Sequence, residues 1–212
     1  MILSTDSMSP EQIYHTTVQT LLPRPIAWVL TEHESGHYNL APFSYFTAIS
    51  SDPALLMFSV GDKAPGEGKD TKVNVARHPY FTVHIPSFRH AEAVTETSRT
   101  LPAEQSELQR IGLQLTDFEG FSMPRLADCS VAFGCSLHDI QPVKGAPQSM
   151  VFGRVEHIYI ADQCARNEVV TKADGSSSQR LTVDAAAIDP LARLGGNQYG
   201  RLGETLSVPR PR

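Results

Sequence analysis

The sequence predicts a mainly β (α+β) fold: an antiparallel sheet closed into a barrel, with helices at its periphery. Three observations lead there. Short apolar runs rich in β-branched and aromatic residues recur along the chain, most of them joined to the next by a short turn-bearing connection. Helical patterns interrupt these runs at two or three points, whereas a doubly wound parallel sheet needs a crossover after each strand. No G-x-G-x-x-G opens a helix after a strand, so a Rossmann dinucleotide site is not indicated.

The elements follow in order. Ser9-Pro10-Glu11-Gln12 starts a helix: Ser9 is the N-cap, Pro10 takes the first helical position and Gln12 completes a capping box. The helix fades near Leu22, before Pro23 and Pro25. Residues 26–31 are a strand, Glu34-Ser35-Gly36 a turn, and residues 37–40 the returning strand. Residues 54–60 and 80–85 are further strands, and 129–140 and 150–160 are two longer ones separated by a turn-rich stretch at 141–147. Between them Ser87 caps a helix over 88–97, and 102–110 forms another with Gly112 just past its end. Beyond Asp162 the pattern predicts helix at 167–170, a polar loop at 173–179 and a loose tail at 207–212.

A chain of 212 residues with this apolar content is one domain, or one domain with extensions. Its 41% apolar and 19% charged residues exclude disorder throughout. The net charge of -5 supplies no basic field for nucleic acid. No apolar run reaches the roughly 18 residues of a membrane helix. The first residues, with Asp6 and no basic cluster, do not read as a secretory signal. Three scattered cysteines, Cys129, Cys135 and Cys164, argue against a disulfide framework and predict a cytoplasmic protein.

Three segments could carry chemistry. In the first, Asn39, Leu40, Ala41, Pro42, Phe43 and Ser44 run on into Tyr45-Phe46. Pro42 should interrupt the strand ladder and free backbone groups for a planar heteroaromatic ligand. An aromatic core corner with a proline bulge is the alternative. In the second, a helix beginning at Asp70 or Thr71 would present free N–H groups beside Lys69, Thr71 and Asn74, a cradle for phosphate. An ordinary capped surface helix fits the same residues. In the third, Arg193-Leu194-Gly195-Gly196-Asn197-Gln198-Tyr199 combines a flexible turn with a cation and an aromatic ring. It is either a ligand-closing element or a mobile loop.

The histidines show no metal-ligand spacing, so no metal site is predicted. His84, between apolar residues in a strand, is a structural histidine or a substrate contact. No G-x-S-x-G or other local hydrolase signature is present.

Taken in order, several of these segments resemble one family. Pro23-Arg24-Pro25-Ile26-Ala27-Trp28-Val29, the stretch 39–46, Lys69-Asp70-Thr71 with Asn74, Val83-His84-Ile85-Pro86, and 190–199 form a series similar to the flavin reductase-like FMN-binding split barrels. The resemblance implies an antiparallel split barrel over residues 22–203, with a helical extension at 1–21 and a flexible tail at 204–212. It implies a homodimer with FMN near the subunit interface. Residues 39–44 would lie along the flavin ring. Ser59, Lys69, Asp70, Thr71 and Asn74 would hold the ribityl chain and phosphate. Arg193 and Tyr199 would close over the site. Tyr199 and His84 are the candidates for a catalytic role.

The activity so implied is reduction of FMN by NADH or NADPH, with reduced flavin passed to a partner oxygenase. Two alternatives keep the fold. One is an electron-carrying or non-catalytic FMN protein, and the other an oxygenase or reductase acting on an organic substrate. The reading explains why no nucleophile or acid–base dyad stands out: the flavin carries the chemistry, and the protein binds and tunes it.

Overall fold

The fold is given by a computed structural model that describes residues 1–64, 66–99, 106–171 and 175–209. Helix α1 (Pro10–Thr20) leads to β1 (Arg24–Pro25), β2 (Ala27–Glu32), β3 (Tyr38–Phe43), β4 (Phe46–Ser51), β5 (Ala54–Ala64) and β6 (Glu67–Gly68). Then come α2 (Asp70–Arg77), β7 (Tyr80–Ile85), α3 (Ala91–Glu96), α4 (Glu107–Ile111), β8 (Leu115–Thr116) and β9 (Arg125–Leu126). The chain ends with β10 (Val131–Pro142), β11 (Gln148–Ile160), β12 (Ala165–Thr171), β13 (Ser177–Val183), α5 (Ala185–Ile188), β14 (Ala192–Arg193) and β15 (Tyr199–Gly200).

The main sheet runs in the order β3-β2-β7-β10-β11-β5-β4, with β6 added to β5. Every pair in it is antiparallel. Its two ends, β3 and β4, are consecutive in sequence and separated by Ser44 and Tyr45 alone. A sheet whose opposite edges are that close along the chain must curl until the edges meet. β3 and β4 nonetheless pair with β2 and β5 and not with each other, so the barrel is split along this seam.

β2 is buried on both faces, which is why its sequence is continuously apolar. Ala27 and Val29 face an inner core with Phe43, Phe58, Phe81, Val83 and Val151, closed by Val75 of α2. Trp28 and Leu30 face an outer core with Leu40, Val94 of α3, Leu108 of α4 and Leu191. The Trp28 indole N–H donates to Thr97 Oγ1 at 2.8 Å, as a buried indole requires.

Many expected elements are present. The Ser9–Gln12 capping box forms at the start of α1, and β7 spans 80–85 as predicted. Gly112 ends α4 in the left-handed region, at φ 67°. The start of the helix expected at 102–110 lies outside the described residues.

Two expectations are overturned. Residues 167–170 are not helical: they lie in β12, which pairs with β13 in a two-stranded hairpin. The polar loop expected at 173–179 is correspondingly shorter, because Ser177 to Gln179 belong to β13; residues 173 and 174 lie outside the described part. Strand β4 was not anticipated. Residues 207–209 are exposed and without regular structure. Among the described residues no helix is long and apolar enough to cross a membrane.

Candidate functional site

β14 returns to pair with β1, placing Arg193 opposite Arg24 and Ala192 opposite Pro25. β15 folds back on β14 through the turn at Gly195-Gly196, closed by Leu194 N–H to Gln198 O and Gln198 N–H to Gly195 O, both at 3.1 Å. The three short strands form a strap over the seam. Under it lies a cleft of about 370 Å³, lined by Tyr14 of α1, Ile26, Pro42, Ser44, Val94 and Thr95 of α3, Ser98 just past it, and by Arg193, Asn197 and Tyr199.

The cleft unites two segments that sequence separates by about 150 residues, the Pro42–Ser44 end of β3 and the strap. Tyr199 is fixed at both ends. Its hydroxyl shares a hydrogen bond with Thr95 Oγ1 at 2.9 Å, and the Arg193 guanidinium sits 4.6 Å from its ring centroid. Arg193 also donates to Gly196 O at 2.6 Å. The described lining includes a cation, the aliphatic hydroxyls of Ser44, Thr95 and Ser98, two phenols and no carboxylate.

The turn of the strap is packed against the helix before it. Gly195 is buried against α1, where an added Cβ would collide with Gln19 Cγ and sit 3.1 Å from Gln19 Cα. Glycine is required there by close approach. Gly196, at φ 57°, supplies the left-handed corner.

At the other end of β3 a second cluster forms. Asn39 donates to Thr71 Oγ1 at 3.2 Å and to Thr31 Oγ1 at 3.4 Å, and Asn74 donates to Thr31 Oγ1 at 3.0 Å. All four side chains are buried. Thr71 and Asn74 therefore fasten the first turns of α2 to the sheet, and do not stand open as donors. Lys69 precedes the helix, is exposed, and makes no side-chain cap. Asp70 is paired with Lys63 at 2.8 Å, and Lys72 with Asp62 at 2.8 Å. The open features at this end are the Lys69 amine and the first-turn N–H groups.

Strand alternation sorts the remaining predicted residues. Leu40 is in the outer core and Phe43 in the inner core; Ala41 packs against the inner one. Pro42 does not break the ladder, whose register runs unshifted from Ala27↔Phe43 to Glu32↔Tyr38. β3 is an edge strand, where a missing N–H is tolerated. Ser59 lies beside the seam, its N–H donating to Tyr45 O at 2.9 Å.

His84 lies outside the cleft. It is fully buried, its Nδ1 3.0 Å from Trp28 O and its Nε2 accepting the Leu126 N–H at 2.9 Å. Both ring nitrogens are occupied by backbone, and burial pushes its pKa down to about 4. The substrate-contact role is replaced by a structural one.

Four polar side chains at or beside the cleft were not anticipated as site residues: Tyr14, Thr95 and Ser98 line it, and Arg24 lies beside it, bonded to Ser44. Tyr14, Thr95 and Ser98 carry no motif. Arg24 had a signal, a charged residue between two prolines just before a strand with no polar position until Thr31.

Comparison with known proteins places these features in context. A model of the flavin reductase like domain matches residues 19–177. A protein of Halalkalibacterium halodurans, itself uncharacterized, is 35% identical over 215 residues, covering 100% of this chain and 97% of that protein. Nitrilotriacetate monooxygenase component B from Bacillus cereus superposes with a TM-score of 0.85 at 27% identity, over 98% of both chains. The 2-nitrobenzoate 2-nitroreductase of Pseudomonas fluorescens superposes with a TM-score of 0.82 at 26% identity, over 100% of this chain and 96% of that one.

Proposed function

The chain belongs to the flavin reductase-like family, and from that premise we propose that it is an FMN-dependent oxidoreductase that takes electrons from NADH or NADPH. The observation that carries this reading is the pair of sites at the two ends of β3. One is the cleft at Pro42 and Ser44, and the other the α2 start beside Asn39. Five residue steps at roughly 3.4 Å separate them by about 17 Å. A mononucleotide whose ring and phosphate are held apart by an extended ribityl chain suits such a layout.

The donor set fits FMN. A cleft with no carboxylate among its described lining residues, bounded by Tyr199 and carrying Arg193, suits a planar ring with hydrogen-bonding edges that gains negative charge on reduction. Lys69 and the uncapped first turn of α2 suit a dianionic phosphate. When bound, FMN supplies two-electron chemistry, accepting hydride from a nicotinamide. The chain's own residues do the rest. Pro42 offers a flat apolar surface and Ser44 a hydroxyl. Arg193 places positive charge over the site, and Tyr199, held by Thr95, fixes the strap that shields it from water. Residues 22–203 act as the flavin-binding domain. The extension at 1–21 contributes α1 as a wall of the cleft.

The active form is a homodimer in this reading. Exposed apolar side chains on edge strand β4 (Ile49) and on the β12–β13 hairpin (Val169, Leu181) support it. A cytoplasmic location is supported by three buried free cysteines. The likeness to a monooxygenase component B supports delivery of reduced flavin to a partner oxygenase. The likeness to a nitroreductase favours a second reading, reduction of an organic substrate within the cleft. An electron-carrying flavoprotein is the third.

The deciding experiment is the visible spectrum of the purified protein, followed by anaerobic mixing with NADH and then NADPH, with and without added FMN. Bleaching of the flavin bands and turnover that rises with added FMN are expected. A protein that binds no flavin sinks the reading. One that holds FMN but is not reduced by either nucleotide leaves the electron carrier.

A further inference from the structure

Arg24 is 4% exposed, and none of the ion pairs among the described residues includes it. A buried guanidinium is costly unless a carboxylate or a full set of acceptors compensates it. Here the acceptors are neutral. One terminal nitrogen donates to Val18 O and to Leu21 O (3.0 Å), at the C-terminal, negative end of α1. The other donates to Leu194 O at 2.8 Å, in the strap. Nε donates to Ser44 Oγ at a longer 3.4 Å.

Arg24 therefore joins three parts of the molecule: α1, the strap on whose first strand it sits, and the seam residue Ser44. Its direct cross-strand neighbour is Arg193. Like charges directly opposite one another repel, and among the described residues no carboxylate lines the cleft beside them. Two cations are gathered where a chain of net charge -5 has acids to spare. The complementary charge is left to the ligand.

Ser44 transmits this to the cleft. A hydroxyl that accepts from a guanidinium turns its own proton elsewhere. Ser44 lines the cleft, so its O–H is left to meet an acceptor on a ligand bound there.

We propose that Arg24 is a positioning residue of the cleft: it ties helix α1 and the strap to Ser44 and holds beneath the ligand a positive charge that favours the reduced, more negative state of the bound flavin over the oxidised one. This rests on the FMN reading above.

The test is the midpoint potential of protein-bound FMN, by anaerobic dye equilibration, together with FMN titration and thermal melting. The proteins are wild type, Arg24→Gln, Arg24→Lys and Ser44→Ala. In Arg24→Gln, reduced FMN should lose at least tenfold more affinity than oxidised FMN, a fall of about 30 mV for a two-electron couple. Arg24→Lys keeps the charge but not the fork, so it should melt lower with a potential near wild type. Ser44→Ala leaves the carbonyl ties intact and should lower the potential with a smaller loss of melting temperature than Arg24→Gln. If Arg24→Gln fails to fold, Ser44→Ala decides. Wild-type potentials in both Arg24→Gln and Ser44→Ala, or in Ser44→Ala alone where Arg24→Gln does not fold, would overturn the proposal and leave Arg24 a structural tie. A wild-type protein that binds no FMN removes the flavin reading itself.

Discussion

Asn39 on β3 donates its side-chain amide to Thr71 on α2 at 3.2 Å, which joins the edge of the sheet to the first turn of a helix 32 positions away. The contact separates two roles that sequence alone merges. Thr71→Val keeps the shape and removes the acceptor from a buried pair, so it should cost about 1–3 kcal/mol of stability. Lys69→Ala touches only an exposed amine. It should leave the melting temperature unchanged and weaken FMN binding about tenfold, with riboflavin, which lacks the phosphate, unaffected. Fluorescence titration with both ligands beside denaturant melts checks the contrast; equal FMN affinity in Lys69→Ala and wild type would displace the phosphate from α2.

The buried His84 makes stability depend on pH. Its folded pKa of about 4 is depressed below the usual 6.5 by burial, against a smaller opposing pull from its hydrogen bond to Trp28 O. Above 6.5 the ring is neutral folded and unfolded, and contributes no slope. Between 6.5 and 4 the unfolded chain takes up a proton that the folded one does not, so stability falls as pH falls. The loss from this group should reach on the order of 3 kcal/mol at pH 4. Denaturant melts from pH 7 to 4 on wild type and His84→Gln measure it, and the variant should show the shallower slope.

Gly195→Ala tests the packing of α1 on the strap. The new methyl meets Gln19, including its backbone Cα at 3.1 Å, so helix or strap must move. A loss of about 1–3 kcal/mol is expected, as for other overpacked sites. Limited proteolysis should cut near α1 faster than in wild type.

Tyr199→Phe deletes the hydroxyl that bonds Thr95 and keeps the ring beside Arg193. FMN should be retained. The Michaelis constant for the reductant should rise about threefold to tenfold, the equivalent of one neutral hydrogen bond. Steady-state kinetics run beside a dimer-dissociation assay decides the matter: unchanged kinetics with a weakened dimer would assign Tyr199 to the interface.

The parts legible in sequence were those with a local cause. The Ser9–Gln12 box, the Gly112 stop and the doubly buried run of β2 each follow from a few adjacent residues. β4 was missed because most of its residues are exposed at an edge and show no two-residue alternation of burial. β12 was misread because its outward Val169 and Val170 give no clear period. In the site, residue types were recognised but not their depth. Asn39, Thr71 and Asn74 read as ligand donors, yet they satisfy one another in the interior. Only the pairing of β1 with β14 brings Arg24 under Arg193, and that pairing spans nearly the whole chain.

The seam between β3 and β4 also has a mechanical side. Neither strand lends the other a ladder hydrogen bond, so the gap can widen or narrow while every pair of the main sheet stays intact. The girth of the barrel along this line is therefore set by side-chain packing, such as Phe43 on Phe58, and not by ladder bonds. Ser44 stands on it, Ser59 stands beside it, and the strap spans it from outside. Any opening that spares the ladder must therefore fall in the wall that faces the cleft, and not in the doubly buried β2 behind it.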